Sequence, residues 1–89
     1  MQLERWLKFS KTQQMGAIAA EIMRAKTWEG KEKENFLSSL ERALQLIDLT
    51  LEDKRWKKWL AILFWLRDET AKFYIGLNKN SIETLYNAL

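Results

Sequence analysis

The sequence contains no cysteine, no histidine and no proline. Without cysteine there is no disulfide framework and no thiolate nucleophile. Without histidine the chain lacks the commonest metal ligand and the commonest general base. The absence of proline means that no strong helix breaker interrupts the 89 residues. With these residue types missing, we expect a non-enzymatic protein that holds no cofactor and no metal ion.

The sequence also has no long apolar run, no nucleotide-binding motif and no motif of a catalytic nucleophile. The longest apolar run covers residues 59–66, whereas a membrane-spanning helix needs about 20 residues. No glycine-rich phosphate loop is present, and the serines have neither a histidine base nor a Ser-x-x-Lys arrangement. The first residues carry an acid beside a base and no apolar stretch, so we expect no signal peptide and a cytoplasmic location.

Helix-forming residues, above all Leu, Lys, Glu, Ala and Arg, dominate what is present. Hydrophobic residues make up 47% of the chain, which is enough for one core in a chain of this length. No useful stretch alternates between apolar and polar residues with a period of two, so we expect no sheet. These features predict a single all-α domain over residues 1–89.

Apolar residues at spacings of three and four predict three long helices, over residues 3–26, 31–49 and about 50–75. A bend is expected within the polar residues 10–14 of the first helix. A short fourth helix is predicted over residues 80–89. Because connections of a few residues return the chain, we predict an antiparallel bundle of the three long helices, with the fourth helix covering one end.

Several residues mark the expected helix boundaries. Gly30 and Gly76 suit the left-handed conformation that often ends a helix. Thr50 and Asn80 are each followed three residues later by an acid, which is typical of a capping box at a helix start. Gly16 lies inside a helix, where glycine costs about 1 kcal/mol relative to alanine, and close packing against another backbone would offset that cost.

The third predicted helix is unusual because apolar side chains surround its axis over two turns. Either this helix is central, with the short helix covering its far side, or it leaves a patch for another chain. Aromatic side chains commonly anchor interfaces between proteins. We therefore predict a surface for self-association, with a homodimer favoured, or for a protein partner. Its residues are Trp56, Trp59, Ile62, Phe64 and Trp65.

A run of cations at the start of the same helix suggests an alternative function. The run consists of Lys54, Arg55, Lys57 and Lys58. The positive end of the helix dipole disfavours cations there, and local rules are more often broken at functional sites. The alternative is binding of nucleic acid or another polyanion, with Trp56 available for stacking. Cations at residues 5, 8 and 11 would extend this patch if the fold brings them near. The competing interpretation is that neighbouring acids, including Asp53, neutralise the run.

Three segments of the chain together resemble a known family. They are Ser10–Gly16 with Ala20–Ile22, Leu40–Thr50, and Leu66–Glu69. In these segments the chain is similar to a family of short, uncharacterised bacterial proteins that are known only as hypothetical proteins. The resemblance covers most of the chain and implies a bacterial, all-helical protein. It implies no activity and no catalytic or cofactor-binding residue.

Overall fold

Residues 2–89 are described by a computed structural model, and they form helices joined by turns, with no strand among them. The helices are α1 Leu3–Trp6, α2 Lys11–Trp28, α3 Lys33–Leu51, a 3₁₀ helix Lys54–Trp59, α4 Leu60–Tyr74 and α5 Glu83–Asn87. The molecule measures 36 × 23 × 19 Å along its principal axes. The predicted all-helical class is confirmed for these residues. Within the same residues, no helix is long and apolar enough to cross a membrane.

The middle helix of the fold is α3, which packs against α2 on one side and α4 on the other. Its apolar residues recur every three or four positions, and Leu40, Ala43 and Ile47 are fully buried. The short α5 packs against α2, where Leu85 and the preceding Ile82 join the same core. The helix that we considered as a central element, now α4, therefore lies to one side of α3.

The predicted continuous helix over residues 3–26 is wrong, because α1 ends at Trp6 and α2 begins only at Lys11. Ser10 caps α2, since its hydroxyl accepts from the backbone N–H of Gln13 at 3.0 Å. The Gln13 side chain in return accepts from the Ser10 backbone N–H at 2.9 Å. This capping box fixes the break within the polar stretch where the sequence predicted only a bend.

The third predicted helix does not begin at Thr50, because α3 continues past this residue and buries its side chain completely. Asp53 instead caps the 3₁₀ helix, and its carboxylate accepts from the backbone N–H of Arg55 at 3.0 Å. The chain enters α4 only at Leu60. The predicted long helix is thus a 3₁₀ helix followed by a shorter α-helix.

Two of the three glycines have the conformation that the sequence predicts. Gly30 and Gly76 have φ angles of 74° and 79°, in the left-handed region that side chains with a Cβ rarely adopt. Gly16 differs, because a Cβ added there would meet no atom within 4 Å outside its own helix backbone and chain neighbours. The close packing that we expected at Gly16 is therefore not found within residues 2–89.

The start of α5 is held by a residue at the end of α2, and the predicted cap Asn80 is not used. The carboxylate of Glu29 accepts from the hydroxyl of Ser81 at 2.7 Å and from the backbone N–H of Ile82 at 2.8 Å. The Ser81 hydroxyl also accepts from the backbone N–H of Glu83 at 3.2 Å. A carboxylate near a helix start is electrostatically favourable, so Glu29 fixes α5 against α2.

Candidate binding surfaces

A buried polar network joins the N-terminal segment to the 3₁₀ helix. Its centre is Gln14, which is fully buried. The Gln14 amide nitrogen donates to the Trp6 carbonyl oxygen at 2.9 Å and to the Asp53 carboxylate at 3.0 Å. Its amide oxygen accepts from the indole N–H of Trp56 at 2.6 Å. The indole N–H of Trp6 donates to the Thr50 hydroxyl at 3.0 Å, so the network ties together four helices.

Arg55 closes this network at the surface. Its guanidinium donates to the Asp53 carboxylate at 2.6 Å and to the carbonyl oxygens of Leu7 and Phe9 at 3.1 and 2.7 Å. Hydrogen bonds from the Arg55 side chain, and a weaker contribution from Gln14, hold the pKa of Asp53 well below its usual range although burial opposes this shift. Arg55 is engaged in holding the fold, which sets it apart from the other three cations of the predicted polyanion patch.

Trp56 is also set apart from the other predicted interface residues. It is only 8% exposed, and its indole N–H is bound by Gln14. A buried indole needs a hydrogen-bond acceptor, and Gln14 supplies one from a position 42 residues away in sequence. The local pattern around Trp56 contains no sign of that partner. The structure therefore places Trp56 in the interior, and it does not belong to the exposed surface that we predicted.

The other four predicted interface residues lie at the surface. Trp59, Ile62, Phe64 and Trp65 are 46%, 53%, 56% and 46% exposed. The buried side of α4 consists of Leu63, Leu66, Thr70 and Phe73. With 3.6 residues per turn, Ala61, Phe64 and Trp65 point away from this buried side, whereas Ile62 lies at its edge. We call the exposed arc of the helix the outer face of α4. It comprises Ala61, Ile62, Phe64 and Trp65, with Phe64 at one edge and Ile62 at the other.

A groove of about 750 Å³ lies between α2, the 3₁₀ helix and the residues of α5. Its lining includes Met15, Gly16, Ala19, Trp56, Trp59 and Tyr86. Lys11 also lines it and places its Nζ atom 5.9 Å from the centre of the Trp56 ring. No acidic side chain of the described residues lines the groove. We call it the aromatic groove, and Trp59 belongs to it rather than to the outer face of α4.

Three cations of the predicted polyanion patch, Lys54, Lys57 and Lys58, are exposed. None of them forms an ion pair with another of residues 2–89. Asp53, which the sequence suggested as a neutralising acid for the whole run, forms its ion pair with Arg55. Lys11 of α2 approaches the same 3₁₀ helix, with its Nζ atom 5.9 Å from the centre of the Trp56 ring.

Several carboxylates inside the helices are engaged by neighbouring cations. Glu21 of α2 is bound by Arg24 at 2.9 Å and by Arg42 of α3 at 3.2 Å. Asp48 of α3 is bound by Arg67 of α4 at 2.6 Å. Within residues 2–89, no three acidic side chains converge in a way that would hold a metal ion. These carboxylates connect neighbouring helices.

Comparisons of the chain with protein-family models, with curated proteins and with solved structures give no match. The resemblance to a family of short bacterial proteins therefore stays a prediction. The outer face of α4 and the aromatic groove are the two surface features from which a function can be argued.

Proposed function

We propose that the protein is a non-enzymatic assembly module that self-associates through the outer face of α4. The observation that carries this proposal is the exposure of Ile62, Phe64 and Trp65, each about half accessible, along the uncovered arc of one helix. The largest apolar patch on the surface of a protein is often an interaction site. In this proposal α2, α3 and α4 form an antiparallel bundle, and a second copy covers the uncovered side of α4.

The charges along α4 support pairing between identical copies. Residues 59–66 carry no charged side chain. The next charges on the same side of the helix, Asp68 and Lys72, pair with each other at 3.1 Å. In a twofold interface each surface patch meets its own copy, so an unpaired charge near the axis would face its like. The outer face of α4 avoids that repulsion.

The size of the outer face predicts a weak dimer. Its three large side chains leave about 300 Å² of apolar surface in water, judged from the total area of such side chains. A stable interface of standard size buries about 800 Å² on each partner. The outer face of α4 supplies less than half of that area, so we expect dissociation in the micromolar range.

Sedimentation velocity over a wide concentration range tests this proposal. The wild-type sedimentation coefficient should rise with concentration, whereas the double variant Ile62→Ser/Phe64→Ser should sediment as a monomer throughout. A matched control is Met23→Ser/Trp28→Ser, which removes two partly exposed apolar side chains from α2. This control should associate like the wild type.

Two results would contradict the proposal. One is a wild-type chain that stays monomeric at all concentrations, which would leave the outer face of α4 to a different protein partner. The other is equal weakening by both double variants, which would show association through general hydrophobicity. Thermal unfolding of each variant should confirm that the chain remains folded, because both double substitutions are at exposed positions.

A further inference from the structure

The floor of the aromatic groove is open at Gly16. Glycine is unfavourable inside a helix relative to alanine, and here no side chain from elsewhere in the described chain approaches within 4 Å to make its absence of a Cβ necessary. Ala19, one turn along α2, is also small. A flat group can therefore approach the backbone of α2 more closely at Gly16 than at helix positions that carry a larger side chain.

The walls of the groove present aromatic rings in defined positions. The Trp56 ring is fixed because its indole N–H is bound by the buried Gln14. Trp59 leaves nearly half of its surface accessible. Tyr86 faces the groove from α5, with the Nζ atom of Lys26 lying 5.6 Å from the centre of its ring. Rings held in this way suit a ligand with flat aromatic groups, because stacking then costs little ordering of the protein.

The charge around the groove indicates an anionic ligand. Lys11 lines it, and Lys57 and Lys58, which do not line it themselves, directly precede the lining residue Trp59 in the 3₁₀ helix. These three cations have no ion pair within residues 2–89, and none of the described lining residues is acidic. A ligand with repeated flat groups and repeated negative charges fits both sets of features. A single strand carries one base for each phosphate, whereas an acidic peptide has flat groups only where it contains aromatic residues, and a duplex hides its base faces inside its own stack.

We infer that the aromatic groove binds single-stranded nucleic acid, with a base stacked on Trp59 and with phosphates neutralised by Lys11, Lys57 and Lys58. The groove volume of about 750 Å³ lies within the range of about 300–1,000 Å³ found for small-ligand sites, so it suits one part of a strand. This inference is separate from self-association, because the groove and the outer face of α4 are formed by different residues.

Fluorescence anisotropy of the full chain with an end-labelled DNA single strand tests the inference, with the same strand annealed to its complement as a second probe. Trp59→Ala should weaken single-strand binding by about fivefold or more, because it removes a stacking surface. Gly16→Leu should weaken it at least as much by filling the floor, whereas its helix should become more stable since leucine is the better helix former. Binding lost in a variant that is more stable cannot be ascribed to unfolding.

The lysines are tested with a charge-matched pair of variants. Lys57→Gln/Lys58→Gln should weaken binding and lower the slope of log affinity against log salt by about 1.4, because each single-strand phosphate contact contributes about 0.7. The control Lys31→Gln/Lys33→Gln makes the same charge change at two exposed positions, one in the turn before α3 and one at the first residue of α3. It should leave binding close to that of the wild type.

The inference is overturned if the single strand does not bind at low salt, or if the duplex binds as tightly as the strand. It is also overturned if Gly16→Leu and Trp59→Ala bind like the wild type, since binding would then be surface electrostatics alone. Displacement of the strand by polyglutamate as readily as by unlabelled strand would likewise exclude a nucleic-acid site and indicate an acidic protein partner.

Discussion

The buried network and the outer face of α4 both use large aromatic side chains, but the chain treats them in opposite ways. In the network, Trp6 and Trp56 are 0% and 8% exposed, and the indole N–H of each donates to a buried side chain. On the outer face, Trp65 is 46% exposed. The same residue type, tryptophan, is thus buried in one region and exposed in the other. In this protein, the two tryptophans of the network are buried where a side chain from another helix accepts a hydrogen bond from the indole N–H.

Replacing the centre of the network should produce the largest effect. Gln14→Ala removes three hydrogen bonds and leaves the indole N–H of Trp56 and the carboxylate of Asp53 without this partner. We expect a loss of about 3 kcal/mol in the free energy of unfolding. Urea denaturation measures it, with Gln45→Ala, an exposed glutamine of α3, as the matched control. Equal losses in the two variants would show that the network contributes nothing specific.

The contribution of the Asp53–Arg55 pair to stability should depend on pH. The pKa of Asp53 is lower in the folded chain than in the unfolded chain, so the unfolded chain takes up the proton first as pH falls. The stabilisation by Asp53 is therefore complete above about pH 5 and decreases as the pH falls below about 4. Asp53→Asn should cost about 2 kcal/mol at neutral pH and flatten this decrease. If the wild type and the variant lose equal stability on acidification, the Asp53–Arg55 pair is not its source.

Replacing glycines should change the free energy of unfolding by an intermediate amount. Gly16→Ala should raise the free energy of unfolding by about 1 kcal/mol, because the added Cβ meets nothing and alanine favours the helix. Gly76→Ala should lower it by about 1 kcal/mol, because its φ of 79° is unfavourable for a residue with a Cβ. Thermal unfolding compares the two. A loss of stability in Gly16→Ala would show that the open floor of the groove is required by the fold itself.

The smallest effect on stability is expected on the outer face of α4. Phe64→Ser should change the free energy of unfolding of the monomer by less than about 0.5 kcal/mol, because its ring is more than half exposed. The control Leu66→Ala, two residues away and 1% exposed, should cost about 3 kcal/mol. Measurements at low protein concentration keep association from contributing. A large loss in Phe64→Ser would show that this side of α4 is part of the core.

The periodicity of the apolar residues was sufficient to predict the helical class, because α3 buries the positions that recur every three or four residues. Gly30 and Gly76 were also predictable, since few residues other than glycine adopt their backbone angles. The break after Trp6 was missed although Ser10 and Gln13 carry the local signature of a capping box. The burial of Trp56 in the 3₁₀ helix could not be predicted, because its partner Gln14 is 42 residues away and a buried glutamine has no local signature. At the groove, the single local signal was the unfavourable placement of Gly16 inside a helix.

The carboxylate of Glu29 has a consequence for the shape of the aromatic groove. Tyr86 faces the groove from α5, a helix of only five residues, which has little stability of its own. Its position depends on the core contacts of Leu85 and on the bonds from Ser81 and the following backbone N–H to Glu29. A residue at the end of α2 therefore helps to position one wall of a groove whose other residues are distant in sequence. Replacing Glu29 should make the wall that carries Tyr86 more mobile, while Leu85 keeps α5 on the core.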